Sequence, residues 1–361
     1  MYRKNILSKI LKIGKPQKSQ PQTAGFTLLE LLAVLSVGSI LITGLLFFVV
    51  QLLQVDKKEF AQTETQREMA QAMNYIADDL KEAVYVYDGE CLTTGNDTCP
   101  GLVNAFNGMT NTADVKPVLA FWKLEEVPYG TPTSAAENLP ETCTTQDCNN
   151  LKLYRNTYTL VVYFLRKDAP SGSNWQGPAR ITRFKLRKYN AEQLSTLTLQ
   201  DPNYVAPGSP TADEKDVISF ASWPCPSKTP TCAPTKLSFN ANYEDVLVDL
   251  VDHNPLPTFA NEQPCPAGYK ATPPDIVIPA GTGTDRNTAS NSSFYACVRP
   301  WAQGLAQDVI VSLRGNGLKR ADVKDGRDPS KPNDLPVTYL PSVQTQVQAR
   351  GAFQRKPGEL K

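Results

Sequence analysis

The sequence predicts an α+β chain: one long N-terminal helix, transmembrane and then amphipathic, packed on an antiparallel β-sheet domain with long disulfide-containing loops. Three observations lead there. Residues 26–55 carry one charged side chain, Glu30; residues 56–88 repeat apolar side chains at helical spacing; and beyond residue 89 short β-like runs alternate with turn-rich stretches that hold all eight cysteines.

The membrane half comes first. No side chain from residue 31 to residue 55 is charged, and that stretch at ~1.5 Å per residue reaches about 37 Å, more than the ~30 Å hydrocarbon core of a bilayer. A core helix is rarely apolar on every face over such a length. Residues 1–25 contain Arg3, Lys4, Lys9, Lys12, Lys15 and Lys18 and no acid, whereas the remainder is net acidic. By the cytoplasmic preference for Lys and Arg, this basic leader stays inside and the C-terminal domain is exported. The acidic remainder lacks the cationic footprint of a nucleic-acid binder, so no nucleic-acid partner is expected.

The helix is expected to continue past the bilayer. Between residues 45 and 88 there is neither Gly nor Pro. Met69, Met73, Ile76, Leu80 and Val84 form a helical stripe, with Arg67, Glu68, Asp78, Asp79 and Lys81 read as wet surface. One helix from residue 26 to about residue 87 follows. Gly38 and Gly44 lie in its membrane half, where they allow close neighbouring helices or local melting.

Strands are predicted at 115–124, 154–166, 179–189, 217–220, 246–251, 294–298 and 309–313. The run 158–165 is apolar on both alternating faces, which suits a central strand with the long helix on one side. In 179–189, Ile181, Arg183, Lys185 and Arg187 alternate with Thr182, Phe184 and Leu186. One face is read as packed and the other as basic and wet, serving solubility and edge protection or an acidic partner or anionic sugar. Residues 339–350, with Val343 and Val347, give a last strand or docking segment, and 351–361 a flexible tail.

Cys91, Cys99, Cys143, Cys148, Cys225, Cys232, Cys265 and Cys297 all follow the span, an even number in a region expected outside the cytoplasm, so disulfides are expected. Nearest-neighbour pairing closes small loops at 91/99, 143/148 and 225/232 and leaves Cys265 for Cys297. The spacing of Cys143 and Cys148 also approaches that of zinc ligands, but no histidine or second tight cysteine pair is near them.

No catalytic centre, cofactor site or metal site emerges. His253 has Asp249 and Asp252 near it, but no serine stands in a nucleophile elbow. The Gly-rich stretches at 281–285 and 315–317 lack a phosphate clamp or a dinucleotide-binding context and read as turns. Acidic loops leave calcium open, without the regular spacing of an EF-hand. Trp122, Trp175, Trp223 and Trp301 fit cores and loop anchors as well as a sugar-stacking platform.

The basic leader, Gly25, Phe26-Thr27-Leu28-Leu29-Glu30 and the immediate apolar span together resemble the type IV pilin and type II secretion pseudopilin signal. That resemblance implies a pilin-like fold. It also implies cleavage by prepilin peptidase after Gly25, methylation of the new terminus at Phe26, and an assembly role for Glu30, whose carboxylate would meet the amino terminus of a neighbouring subunit and so offset its burial in hydrocarbon. The other reading leaves Glu30 at headgroup level. The longer text, REMAQAMNYIADDLKEAVYVYD at 67–88 with KPVLAFWK at 116–123, YTLVVYFLRK at 158–167 and WQGPARITRFKL at 175–186, resembles the HpsC-type pseudopilin family of cyanobacterial hormogonium polysaccharide secretion.

From these resemblances follow the expected partners: prepilin peptidase, other pilins or pseudopilins through the helix, an inner-membrane assembly platform, and a possible polysaccharide contact. The expected domains are leader 1–25, membrane half-helix 26–55, amphipathic half-helix 56–88, exported domain 89–350 and tail 351–361. The expected place is the inner membrane, single-pass, with the C-terminal domain periplasmic and the subunit passing into a filament on assembly. Phe47 stands where many major pilins have a proline, and the loops are large, which together favour a low-copy or tip subunit. The expected function is a non-enzymatic minor pseudopilin supporting polysaccharide secretion and gliding motility. A minor pilin for adhesion, twitching or DNA uptake, and an anchored envelope enzyme or sugar-binding module, are the alternatives.

Overall fold

A computed structural model describes residues 25, 27–112, 114–167, 174–211, 216–230, 232–233, 235–253, 265–274, 293–302, 306–323 and 337–350. They fall into two units, one ending at Val55 and one beginning at Asp56. Helix α1, Leu28–Lys81, supplies the first unit and enters the second.

In the first unit, leucine, isoleucine, valine and phenylalanine side chains from Leu28 to Val55 are exposed around the whole circumference. The hydroxyls there turn back on their own helix: Ser36 Oγ donates to Ala33 O at 2.9 Å, Ser39 Oγ to Ser36 O at 2.9 Å, and Thr43 Oγ1 to Ser39 O at 2.8 Å. Polar groups satisfied inside one segment are what an apolar solvent demands.

In the second unit α1 buries one stripe, Ala61, Thr65, Met69, Ala72, Met73, Ile76, Ala77, Asp79 and Leu80. The helix stops at Lys81, six residues before the expected end. The reason lies in 83–86, AVYV, whose β-branched and aromatic side chains form strand β1 (Ala83–Val86) instead. After α2 (Gly89–Leu92) come β2 (Phe106–Asn107), β3 (Val115–Glu126), α3 (Gln146–Tyr154), β4 (Asn156–Arg166), β5 (Ala179–Leu186), β6 (Leu237–Ser238), β7 (Glu244–Val251), β8 (Lys270–Thr272), β9 (Phe294–Val298), β10 (Asp308–Arg314) and β11 (Ser342–Gln348). Residues 217–220 form no strand; Val217 makes only an isolated bridge to Pro210.

The larger sheet is antiparallel in the order β1-β3-β4-β5-β7, and a second antiparallel sheet runs β11-β10-β9-β8. Strands β2 and β6 make a short parallel pair. Pro117, which has no N–H to give, sits where the β3–β4 register shifts.

Strand β4 is central, and both its faces are buried. Val161, Tyr163 and Leu165 join Met69, Met73, Ile76 and Leu80 of α1, together with Phe294, Val309, Val311 and Val347 of the second sheet, in one core. Leu160, Val162 and Phe164 point the other way, into an aromatic core with Trp122 of β3 and Phe184 of β5 and with Tyr87, Phe220 and Trp223 from outside the strands. The continuous apolar run of β4 is therefore the signature of a strand between two cores.

The loops are held by covalent bonds. Cys91 joins Cys99, Cys143 joins Cys148, Cys225 joins Cys232 and Cys265 joins Cys297. Chain crossing so much surface without regular structure gains order from such ties. The architecture is thus a pilin-like α+β fold: a long N-terminal helix, an antiparallel sheet domain and disulfide-linked loops.

Candidate functional site

The N-terminal end of α1 is built by local chemistry. Thr27 stands just before the first helical residue, and the Glu30 N–H is donated both to Thr27 O at 3.0 Å and to Thr27 Oγ1 at 3.3 Å. A threonine at the cap with a glutamate three residues on has the spacing of a capping box. Glu30 thereby occupies the first turn, where a carboxylate is favoured by the positive end of the helix dipole. Its side chain is exposed, as is every large apolar side chain that follows up to Val55. The Thr27–Glu30 spacing within the processing motif is thus also a helix-start signal.

Gly25 directly precedes this turn, and a Cβ there would meet nothing within 4 Å. Phe26 lies outside the described residues. Open space also surrounds Gly38 and Gly44. This half-helix is the one element among the described residues that is long and apolar enough to cross a membrane.

Titratable groups elsewhere are engaged in structure. The expected wet, basic face of 179–189 is largely covered: Arg183 packs under α1 and binds Asp79, itself buried instead of solvated. Each oxygen of the Asp79 carboxylate receives two hydrogen bonds. Oδ1 accepts from Lys123 Nζ at 2.9 Å and Arg183 Nη2 at 3.1 Å; Oδ2 accepts from Tyr163 Oη at 2.6 Å and Arg183 Nε at 2.7 Å. Four donors fill the acceptor capacity of one carboxylate. Burial pushes the Asp79 pKa up, and Arg183, Tyr163 and Lys123 together override it, so that it lies below the ordinary value. Arg187 likewise closes on Glu125, with Nη2 2.6 Å from Oε1, and Lys185 faces Asp245 at 3.7 Å. An anionic ligand would compete with these carboxylates for the same cations.

His253 lies two residues past the end of β7. Its neighbour Asp252 is fully buried and held by Arg314 Nε at 2.8 Å and Asn316 Nδ2 at 3.1 Å, while Asp249 accepts the N–H groups of Gln176 and Gly177. Both aspartates close strands together; neither is set to activate a nucleophile. Among the described residues no group of three or more His, Cys, Asp or Glu side chains is placed to hold a metal ion. The stretch 281–285 lies outside the described residues. Trp122 and Trp223 are core residues, packed edge to face at 5.1 Å between centroids, whereas Trp175 and Trp301 are exposed.

Residues 315–317, expected as a turn, do something else. A Cβ on Gly315 would lie 2.7 Å from Met69 Cγ and 2.8 Å from Thr65 Cγ2, and one on Gly317 3.0 Å from Thr65 Oγ1. The two glycines remove side chains where α1 lies against the end of β10.

Residues 21–46 match the family model described as the prokaryotic N-terminal methylation motif. No curated protein matches the chain, and no solved structure does. The motif implies processing by a prepilin peptidase and assembly with other pilins, and together with the fold it supports a structural role of the pilin or pseudopilin kind.

Proposed function

We propose that this chain is a minor pseudopilin, a low-copy structural subunit of a type IV pilus or type II secretion-like assembly that supports polysaccharide secretion and gliding motility. The observation that carries the reading is Glu30 at the head of an apolar half-helix exposed on every face, inside the methylation motif. In this reading residues 1–25 are a cytoplasmic leader removed by prepilin peptidase, Phe26 becomes the methylated terminus, and residues 26–55 anchor the protein in the inner membrane. The domain from residue 89 onward faces the periplasm.

The half-helix then leaves the bilayer for a bundle of like helices, on an inner-membrane assembly platform whose ATPase supplies the work. Apolar faces lose little in the exchange of lipid for helices, so packing and paired polar groups have to drive it. Glu30 would accept the amino terminus of a neighbour, turning an expensive lone charge into a neutralised pair. Gly38 and Gly44 would let neighbours approach closely. The secretion and motility assignment rests on the resemblance of residues 67–186 to the cyanobacterial polysaccharide-secretion pseudopilins.

Deletion in the native host, with surface pili and exported polysaccharide measured separately, tests the proposal. Loss of exported polysaccharide with pili retained is expected. Loss of pili would favour a minor pilin of adhesion, twitching or DNA uptake; turnover of a substrate by the purified chain would favour an anchored enzyme.

A further inference from the structure

A cleft of about 620 Å³ opens beside the amphipathic half of α1, between that helix, the segment at 174–176 and strand β7. This volume lies within the ~300–1,000 Å³ of small-molecule sites. Two aromatic rings on its wall are exposed, Tyr75 at 47% and Trp175 at 42%. Around them stand Gln71, Asn174 and Gln176, also exposed.

The backbone just after the exposed tryptophan is tied to β7. The Gln176 N–H donates to Asp249 Oδ2 at 2.7 Å, and the Gly177 N–H to both oxygens of the same carboxylate at 3.1 and 3.0 Å. Gly177 approaches β7 so closely that a Cβ there would lie 2.3 Å from the Leu250 nitrogen, and Leu250 itself has φ +57°. Backbone of this kind gives up conformational freedom to hold one position, and the residue just before it, Trp175, is exposed. Tyr75, on the helix side of the cleft, has the Arg183 guanidinium 5.6 Å from its ring centroid, and Asp79 fixes that guanidinium in turn.

We propose that this cleft binds a neutral, hexose-containing segment of a polysaccharide. Aromatic faces suit the C–H faces of pyranose rings, and side-chain amides suit pairs of sugar hydroxyls, since each offers a donor and an acceptor. Charge argues against an acidic sugar: Arg320 is committed to Glu68 at 2.6 Å, and Asp249 adds a negative charge. Leu247 and Val248 also line the cleft and suit the C–H face of a sugar as well as a protein side chain; the three amides favour the sugar, whose hydroxyls need paired donors and acceptors. The proposal deepens the polysaccharide-export reading by naming the contact.

The test uses the detergent-solubilised full chain, titrated by tryptophan fluorescence and calorimetry with cellohexaose, maltohexaose, mannohexaose and hexagalacturonate. At least one neutral hexaose should bind about tenfold more tightly than the uronate. Trp175→Ala and Tyr75→Ala should each weaken it by about tenfold, the scale of a lost stacking contact. Trp175→Phe, which keeps a stacking face, should retain most of the affinity, and Trp301→Ala all of it. No binding of any neutral hexaose at millimolar concentration, preference for the uronate, or affinity unchanged in Trp175→Ala would overturn the site. So would wild-type sugar binding by Trp175→Ala combined with loss of its cross-linking to another pilin, which would make this face a protein contact. Binding that persists while deletion leaves polysaccharide export intact keeps the site and removes the export role; export that depends on the chain without hexaose binding does the reverse.

Discussion

Arg183 of β5 meets Asp79 of α1 side-on, Nε to Oδ2 at 2.7 Å and Nη2 to Oδ1 at 3.1 Å, with both side chains less than a tenth exposed. The pair ties the last turns of the amphipathic half-helix to the centre of the large sheet. A buried ion pair is weak evidence for net stability, because desolvation offsets much of the attraction. Its directionality is another matter: four donors converging on one carboxylate fix the rotation of the helix about its axis.

Asp79→Asn should therefore be costly. It leaves Arg183 buried without its counter-charge and Lys123 with Glu82 alone, 2.8 Å away, and the expected loss is about 3–5 kcal/mol in urea unfolding of the detergent-solubilised chain. Adding Arg183→Met should recover part of that loss, because the stranded charge goes with it. An Asp79→Asn protein as stable as wild type would show that the clamp does not hold the helix.

The same carboxylates set an acid limit. The folded pKa of Asp79 is depressed, as is that of Glu125, where burial is outweighed chiefly by Arg187 and then by Thr159 and Lys123. A depressed carboxylate contributes its stability above its unfolded pKa, about 4, and loses it as pH falls through the folded value. Urea midpoints should thus hold from neutrality to about pH 5 and fall steeply below pH 4. Asp79→Asn should fall less steeply than wild type over that acid range.

Among the disulfides, Cys265–Cys297 spans 32 residues, against 8, 5 and 7 for the other three. Loop-closure entropy assigns it about 3–4 kcal/mol and the short loops about 2–3 kcal/mol each. Replacing Cys265 and Cys297 by serine should consequently lower the unfolding midpoint more than the equivalent change at Cys91 and Cys99. Equal or reversed losses would show that strain or residual structure outweighs loop length here.

How much of this was legible in the sequence depends on the range of the interaction. The membrane half-helix and β4 announce themselves through local composition, and the stripe Met69, Met73, Ile76, Leu80 through a period of 3.6. Val84 continued that period but belongs to β1, because pairing with β3 overrides a short helical echo. Asp79 and Arg183 looked solvated because each is charged; only their meeting across 104 residues makes burial possible. Helix α3, polar in QDCNNLKLY, gave no stripe to read, although Thr145 caps it by accepting from the Cys148 N–H at 3.3 Å. Glycines 315 and 317 looked like turn residues for the same reason: nothing local says that a helix lies against them.

That helix contact is open to direct challenge. Gly315→Ala forces a methyl to 2.7 Å from Met69 Cγ and 2.8 Å from Thr65 Cγ2, both on fully buried side chains. Overpacking of this kind costs about 1–3 kcal/mol. Retained stability would mean that α1 shifts away without loss.

Gly25→Ala asks a different question, because a Cβ there meets nothing within 4 Å. Folding should be unchanged, so any effect reports recognition by the peptidase. Uncleaved full-length chain, seen by intact mass in a host with active prepilin peptidase, is the expected result; normal cleavage would remove Gly25 from the processing site.

A substitution at Glu30 tests the proposed assembly role apart from anchoring. Its backbone N–H is capped by Thr27, and its side chain is exposed at the first turn, so Glu30→Gln keeps the spacing of the capping box while removing the charge. Membrane insertion depends on the apolar residues that follow and should persist, with the β-rich domain still resistant to mild proteolysis. Cleavage after Gly25 should also persist, since the bond and its flanking residues are unaltered. Recovery in sheared filaments, relative to the membrane pool, should fall about tenfold, the scale of one lost charge-assisted contact in a low-dielectric bundle. A residue that served only to cap the helix would show a small loss in both pools alike, because the dipole contribution at an exposed first turn is about 0.3–1 kcal/mol. The ratio between the two pools therefore carries the answer: an unchanged ratio leaves Glu30 a capping residue, and a ratio that collapses while the membrane pool stays full makes its carboxylate the partner of a neighbouring subunit.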